Sequence, residues 1–187
     1  MLYRVVPLDP LAEPTEEGGA RFVARALQGQ GRHDAPSLYG AIYVSRSPVS
    51  AVAERLRRFR GRPIVEEYLR WERQLPYAIV SFDDRAVSDL VDLDDPRNLE
   101  ARGLRPSTVA TATRKVTQRY ARAIHAEGAA GLEWWSTIEA SWINVTLFAE
   151  RVASTLRPGG PPEALALDHP AVREAAEVVG VSLAGPR

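Results

Sequence analysis

The feature that most restricts the fold is an abrupt change of hydrophobic period between residues 41 and 61. Ala41-Ile42-Tyr43-Val44-Ser45 is a compact apolar run of strand length, and Ser47-Pro48 follows at once. A hydroxyl at the N-cap and a proline at the first helical position together signal a helix start. Val49, Val52, Ala53, Leu56 and Phe59 then recur at helical spacing until Gly61 stops the pattern. A strand that feeds straight into an amphipathic helix belongs to a layered structure in which both bury one face.

The rest of the chain extends this mixture. Residues 2–6 read as a first strand and residues 7–14 as a turn-rich connection. Residues 16–27 place Phe22, Val23, Ala26 and Leu27 at helical spacing, and Gly29-Gln30-Gly31 reads as the stop. Residues 32–40 form a loop, and residues 65–74 a second helical segment. Residues 77–83 and 88–93 read as two strands joined by the turn Asp83-Asp84-Arg85-Ala86. Residues 111–127 carry Val116, Tyr120, Ala123 and Ile124 on one helix face, with Gly128 following. Residues 131–135 and 143–148 are further strands. The run Arg157-Pro158-Gly159-Gly160-Pro161-Pro162 is the strongest linker signal, and residues 170–179 form a helix in the tail. The expected organisation is one domain over residues 1–155, then a linker and a dispensable tail over 156–187. Strands and helices intermix without strict alternation, which predicts an α+β fold rather than a doubly wound sheet.

Composition removes several function classes. The chain has 187 residues, 45% hydrophobic and 26% charged, as expected of a globular protein. It has no cysteine, so thiol catalysis, disulfide frameworks and iron–sulfur clusters are excluded. Its three histidines, His33, His125 and His169, are far apart and form no metal-binding motif, so no metal is expected. Lys+Arg and Asp+Glu are 24 each, so there is no basic excess for direct nucleic-acid binding. No secretory signal or apolar run of about 18 residues is visible, which predicts a cytoplasmic protein without a membrane span. The sequon Asn144-Val145-Thr146 then reads as chance. There is no phosphate-binding P-loop and no nucleophile elbow. Trp134, Trp135 and Trp142 lie within nine positions of one another and read as core, or as the wall of a pocket for a flat ring.

The segment from Arg32 to Glu54 resembles the central signature of RES-domain proteins, the toxins of RES–Xre toxin–antitoxin pairs. An arginine stands in a loop, and Ile42-Tyr43-Val44-Ser45-Arg46-Ser47-Pro48 continues into Val52-Ala53-Glu54. Gly131-Leu132-Glu133-Trp134-Trp135-Ser136 and Asn144-Val145-Thr146-Leu147-Phe148 resemble two further strands of that family, in the same order. There are departures. Gln30-Gly31-Arg32-His33 stands where the family often has Gly-Gly-Arg and an aromatic residue. Trp135 replaces a tyrosine, and Ser45-Arg46-Ser47 replaces Ala-Glu-Ser.

The resemblance implies an ADP-ribosyltransferase-like α+β fold, a mixed sheet core flanked by helices, acting on NAD+ as substrate without a metal. Arg32, Tyr43, Glu54 and Ser136 match the family's functional positions, and Trp135 adjoins them. Cleaving the nicotinamide–ribose bond leaves an oxocarbenium-like sugar. The implied roles are a carboxylate near that charge for Glu54 and a guanidinium on the pyrophosphate for Arg32. Tyr43 and Trp135 supply rings, and Ser136 a hydroxyl that orients amide or ribose. Without the resemblance, Arg32 reads as a solvated loop charge, Tyr43 as core and Ser136 as an ordinary strand-end hydroxyl. Glu54 lies about 160° from the centre of its helix's apolar stripe and reads as a solvated face residue. The implied function is toxic NAD+ degradation by hydrolysis or phosphorolysis that arrests growth. The alternatives are protein ADP-ribosylation from the same chemistry, or a non-catalytic binding module. The implied partner is an Xre-type antitoxin with a helix-turn-helix domain that reaches into the NAD+ cleft.

Overall fold

The computed structural model describes residues 1–70 and 75–184. In chain order the elements are β1 (Leu2–Pro7), β2 (Ala41–Ser45), α1 (Pro48–Leu56), β3 (Tyr77–Asp83), β4 (Leu90–Asp92), α2 (Pro96–Ala101), α3 (Pro106–Ala110), α4 (Arg114–Ala126), β5 (Gly131–Trp135), β6 (Ile143–Phe148), α5 (Ala149–Val152), β7 (Arg157–Pro158), β8 (Glu163–Ala164) and α6 (Pro170–Val179). The fold is α+β, as the mixed periodicities predict. No helix among the described residues is long and apolar enough to cross a membrane. The chain divides into two compact units, Met1–Phe22, Ser45–Phe82 and Pro158–Arg187 in the first, and Val23–Val44 with Asp83–Arg157 in the second.

The first unit is built on α1. The Ser47 hydroxyl accepts from the Ser50 N–H at 3.4 Å and Pro48 fills the first helical position, so the helix starts where its sequence signal stands. α1 packs on β1 and on α6. The α6 side of the contact is a run of small and branched residues, Ala171, Val172, Ala175, Ala176 and Val179, all buried. Gly180 ends α6 in the left-handed conformation, at φ 71°. β1 pairs antiparallel with β3, in register from Leu2 opposite Phe82 to Pro7 opposite Tyr77. The Pro/Gly run expected as a linker follows β3 instead. The Gly159 N–H donates to the Ser81 carbonyl at 2.8 Å, and β8 pairs with β3 at Ala78 and Ile79. Proline is compatible with such short strands at an edge.

The expected helix over 16–27 is absent: the segment is a series of turns closed by a 3-10 turn at Arg25–Leu27. Gly18 sits at φ 91°, and a Cβ there would lie 2.8 Å from the Asp9 Cβ. The Arg4 guanidinium donates to the carbonyls of Ala20 and Phe22 at 3.1 and 3.0 Å, which a helix would need for itself. Leu27, expected on an apolar stripe, is 86% exposed. Of the segment expected to be helical over 65–74, Glu66–Leu69 is a 3-10 turn and residues 71–74 lie outside the described residues.

In the second unit β4, β5, β6 and β2 are neighbours in that order. β4 and β5 run parallel while β5 and β6 run antiparallel, so the sheet is mixed. α4 packs on β5, with Tyr120, Ala121 and Ile124 against a core that includes Leu132, Trp134 and Phe148. Residues 94–110, to which the sequence reading assigns no element, carry α2 and α3, each opened by a proline at its first position.

Candidate active site

Four of the five expected site residues, Arg32, Tyr43, Trp135 and Ser136, belong to the second unit, and Glu54 stands on α1 in the first. Two of these, Arg32 and Tyr43, are tied together by the loop before β2. The Gln28 side-chain amide anchors that loop, donating to the Ala41 carbonyl at 2.7 Å and accepting from its N–H at 2.9 Å. The Asp34 carboxylate, 5% exposed, accepts from the N–H groups of Gly29 and Gly31 at 2.7 and 2.6 Å. Its other oxygen accepts from the Tyr43 hydroxyl at 2.7 Å, and that hydroxyl accepts from the His33 N–H at 2.8 Å. The Gln118 amide on α4 donates to the carbonyls of Gly29 and Gly31 at 3.0 and 2.9 Å.

Arg32 is not a solvated charge. It is 8% exposed, and its Nη1 donates to the carbonyls of Val109 and Thr111 at 2.8 and 2.9 Å. The guanidinium carbon lies 4.8 Å from the centre of the Trp134 ring, a cation–π distance. The Thr117 hydroxyl donates to the Arg32 carbonyl. Guanidinium and backbone are thus held from α3, α4 and β5 together.

His33, which the sequence reading set aside, is fully buried beside it. Its Nδ1 pairs with the Thr146 hydroxyl at 2.7 Å and its Nε2 with the Tyr120 hydroxyl at 2.9 Å. Burial, reinforced by the charges of Arg32 and Arg114, holds its pKa well below the ordinary histidine value. Burial pushes the Tyr120 phenol up to about 12, against the opposing pull of Arg32. Burial and the hydrogen bond to Asp34 likewise raise the Tyr43 phenol. The Tyr43 hydroxyl is therefore a neutral structural group, while its ring remains half-buried.

Of the neighbouring tryptophans, Trp134 is core at 6% exposure, while Trp135 lines a cavity of about 850 Å³. Leu99, Leu104, Pro106 and Ala110 supply apolar wall, and Asp94, Glu100 and Arg105 supply charge. Trp134 is thus core and Trp135 pocket wall, on successive residues of one strand that point to opposite faces, and Arg32, Tyr43, Glu54 and Ser136 are not among the residues that line this cavity. Ser136 is 2% exposed at the end of β5, where its N–H donates to the Trp142 carbonyl at 2.7 Å and its hydroxyl accepts from the Ile138 N–H at 3.1 Å.

Glu54 lies off the apolar stripe of α1, but its face is not simply solvated. Ser50 and Ala51, one turn earlier on that face, are buried, and the Glu54 side chain is itself only 28% exposed. Arg57 stands 3.4 Å from its carboxylate. The helix therefore has little free perimeter, and the glutamate emerges from a covered side.

Asp34, His33, Tyr120 and Thr146 are the polar residues that the sequence reading missed. Their signal is the burial of four polar side chains in one network, which sequence spacing does not express.

The family model described as RES domain matches residues 1–168. No curated protein matches the chain. Among solved structures, a chain of the M. tuberculosis MbcT–MbcA toxin–antitoxin complex matches with a TM-score of 0.60 at 21% identity, covering 95% of this chain and 87% of that one. At that identity the likeness is one of fold. The family match spans the Asp34 loop, β2, α1, β5 and β6, and by it the chain belongs to the RES domain family.

Proposed function

We propose that the chain is a RES-domain toxin that degrades NAD+, using water or phosphate as acceptor, and is held in check by an antitoxin of the Xre type. The observation that carries this reading is the family match over residues 1–168, which contains all five site residues. The chemistry is economical. Breaking the nicotinamide–ribose bond releases neutral nicotinamide, so no strong general acid is required, and a histidine kept neutral by burial is no obstacle. The step needs stabilisation of the positive sugar, and Glu54 provides a carboxylate for it. Arg32, already braced on two carbonyls and the Trp134 face, provides pre-oriented positive charge for the pyrophosphate. The half-buried rings of Tyr43 and Trp135 provide flat apolar surface for a heteroaromatic group. Ser136 completes the set as the residue that orients amide or ribose.

The test is incubation of the purified chain with NAD+, following nicotinamide release. Free ADP-ribose marks hydrolysis, a phosphate-dependent product marks phosphorolysis, and label on a protein band marks transfer instead. Glu54→Gln is expected to fold normally, because the residue is not part of the apolar stripe, yet to lose about 100-fold or more in turnover. Wild-type turnover by a folded Glu54→Gln variant overturns the assigned role, and no turnover by the folded parent protein overturns the activity.

A further inference from the structure

We propose that Asp34 is a positioning residue of the NAD+ site, setting Tyr43 and the backbone that carries Arg32 through one buried carboxylate. The inference rests on the activity proposed above, and it adds a residue to which no role has been given.

Burying a carboxylate costs free energy unless its oxygens are hydrogen-bonded. At Asp34 both are. One accepts from Gly29 and Gly31 at 2.7 and 2.6 Å, and the other accepts from the Tyr43 hydroxyl at 2.7 Å. These three neutral donors come from two places in the chain, the loop that ends in Arg32 and the middle of β2. No apolar side chain could join them; the site needs a side chain that ends in two polar atoms, one for the glycine N–H groups and one for the Tyr43 hydroxyl. The carboxylate therefore acts as a clamp between loop and strand, made of charge-assisted bonds.

Gly31 shows how closely the clamp is fitted. A Cβ at that position would meet the Asp34 carboxylate and lie 2.6 Å from the Tyr43 hydroxyl. The next residue is Arg32, whose guanidinium must reach the Val109 and Thr111 carbonyls and the Trp134 face from this backbone. On the strand side, the Tyr43 hydroxyl is fixed between Asp34 and the His33 N–H, which pins the outer end of its half-buried ring. Asp34 thus acts on ligand binding through Tyr43 and Arg32, without touching the ligand itself.

The experiment compares Asp34→Ala, Asp34→Asn and Tyr43→Phe in the full chain, alone and as the Asp34→Ala/Tyr43→Phe pair, by steady-state NAD+ kinetics. Asp34→Ala is expected to raise KM about 10-fold or more with a smaller change in kcat, since misplacing binding groups mainly weakens binding. Asp34→Asn is expected to recover most of the KM, because its carbonyl can serve the glycine N–H groups and its NH2 can donate to the Tyr43 hydroxyl. The double variant is expected to lose less than the product of the two single losses. Hydrogen exchange over residues 28–34 provides a readout independent of turnover, with Asp34→Ala expected to lose protection there while α4 keeps its own. A parent-like KM in folded Asp34→Ala, or a fall in kcat alone with no rescue by asparagine, overturns the proposal. Unchanged exchange over the loop also overturns it. A parent chain without NAD+ turnover defeats the proposed activity, and loop exchange then still decides whether Asp34 holds the loop.

Discussion

At the scale of single residues, His33 carries the clearest physical consequence. The folded protein keeps it neutral, because burial and the charges of Arg32 and Arg114 all oppose a proton. In the unfolded chain it titrates near 6.5. Below that pH the unfolded state binds a proton that the folded state refuses, so stability falls as pH falls, by up to about 1.4 kcal/mol per pH unit, until the lowered folded pKa is reached. His125 acts in the same direction, through burial and Arg151, so the parent protein alone does not isolate the effect. The measurement is the urea midpoint at pH 7.5 and pH 5.5 for the parent and for His33→Gln. The variant is expected to be less stable at pH 7.5 but to lose less on acidification. Equal losses in both proteins would remove His33 as the source. Arg32 shows why this scale is poorly legible in sequence. Its burial depends on the carbonyls of Val109 and Thr111, 77 and 79 positions away. No local pattern expresses a partner at that distance, and the same holds for the bond of His33 to Thr146, 113 positions away.

At the scale of elements, legibility followed the strength of the local signal. The bounds of β2, β5, β6 and α6 coincide with the expected segments, and α1 begins at its Ser-Pro cap. In each, apolar pattern, capping and tertiary burial agree. The failure over 16–27 has the opposite cause: spacing favoured a helix while Gly18-Gly19 and the Arg4 contacts favoured turns. Element packing also alters what truncation should do. Sequence alone makes the tail dispensable, but α6 lies against α1 with five buried side chains. Ending the chain after Arg157 is therefore expected to yield insoluble or partly unfolded protein. Val172→Ala offers a graded version, since this fully buried side chain is expected to cost about 2 kcal/mol on truncation. Circular dichroism during thermal and urea unfolding checks both. A soluble truncated chain with the parent's transition would show that α1 does not need its partner helix.

At the scale of the whole molecule, charge and proposed activity bear on the same question. Lys+Arg and Asp+Glu balance at 24 each, which gives no net attraction to phosphate backbones. The proposed NAD+ degradation is harmful to the cell that performs it, so its control must come from another molecule. An antitoxin of the proposed type would supply the inhibition and, through its helix-turn-helix domain, the DNA binding. Three outcomes are then expected together. Expression of the chain alone should lower cellular NAD+ and stop growth, whereas Glu54→Gln should do neither at equal protein level. Co-expression of an adjacent gene encoding a helix-turn-helix protein should restore growth and yield a complex that co-purifies. The purified chain alone should fail to retard duplex DNA at about 150 mM salt, a concentration that screens weak contacts with phosphate. Growth arrest by folded Glu54→Gln without loss of NAD+ would separate toxicity from the proposed chemistry. Retardation of DNA by the chain alone would show that local arginine clusters outweigh the neutral total, and would move DNA binding from the partner to this protein.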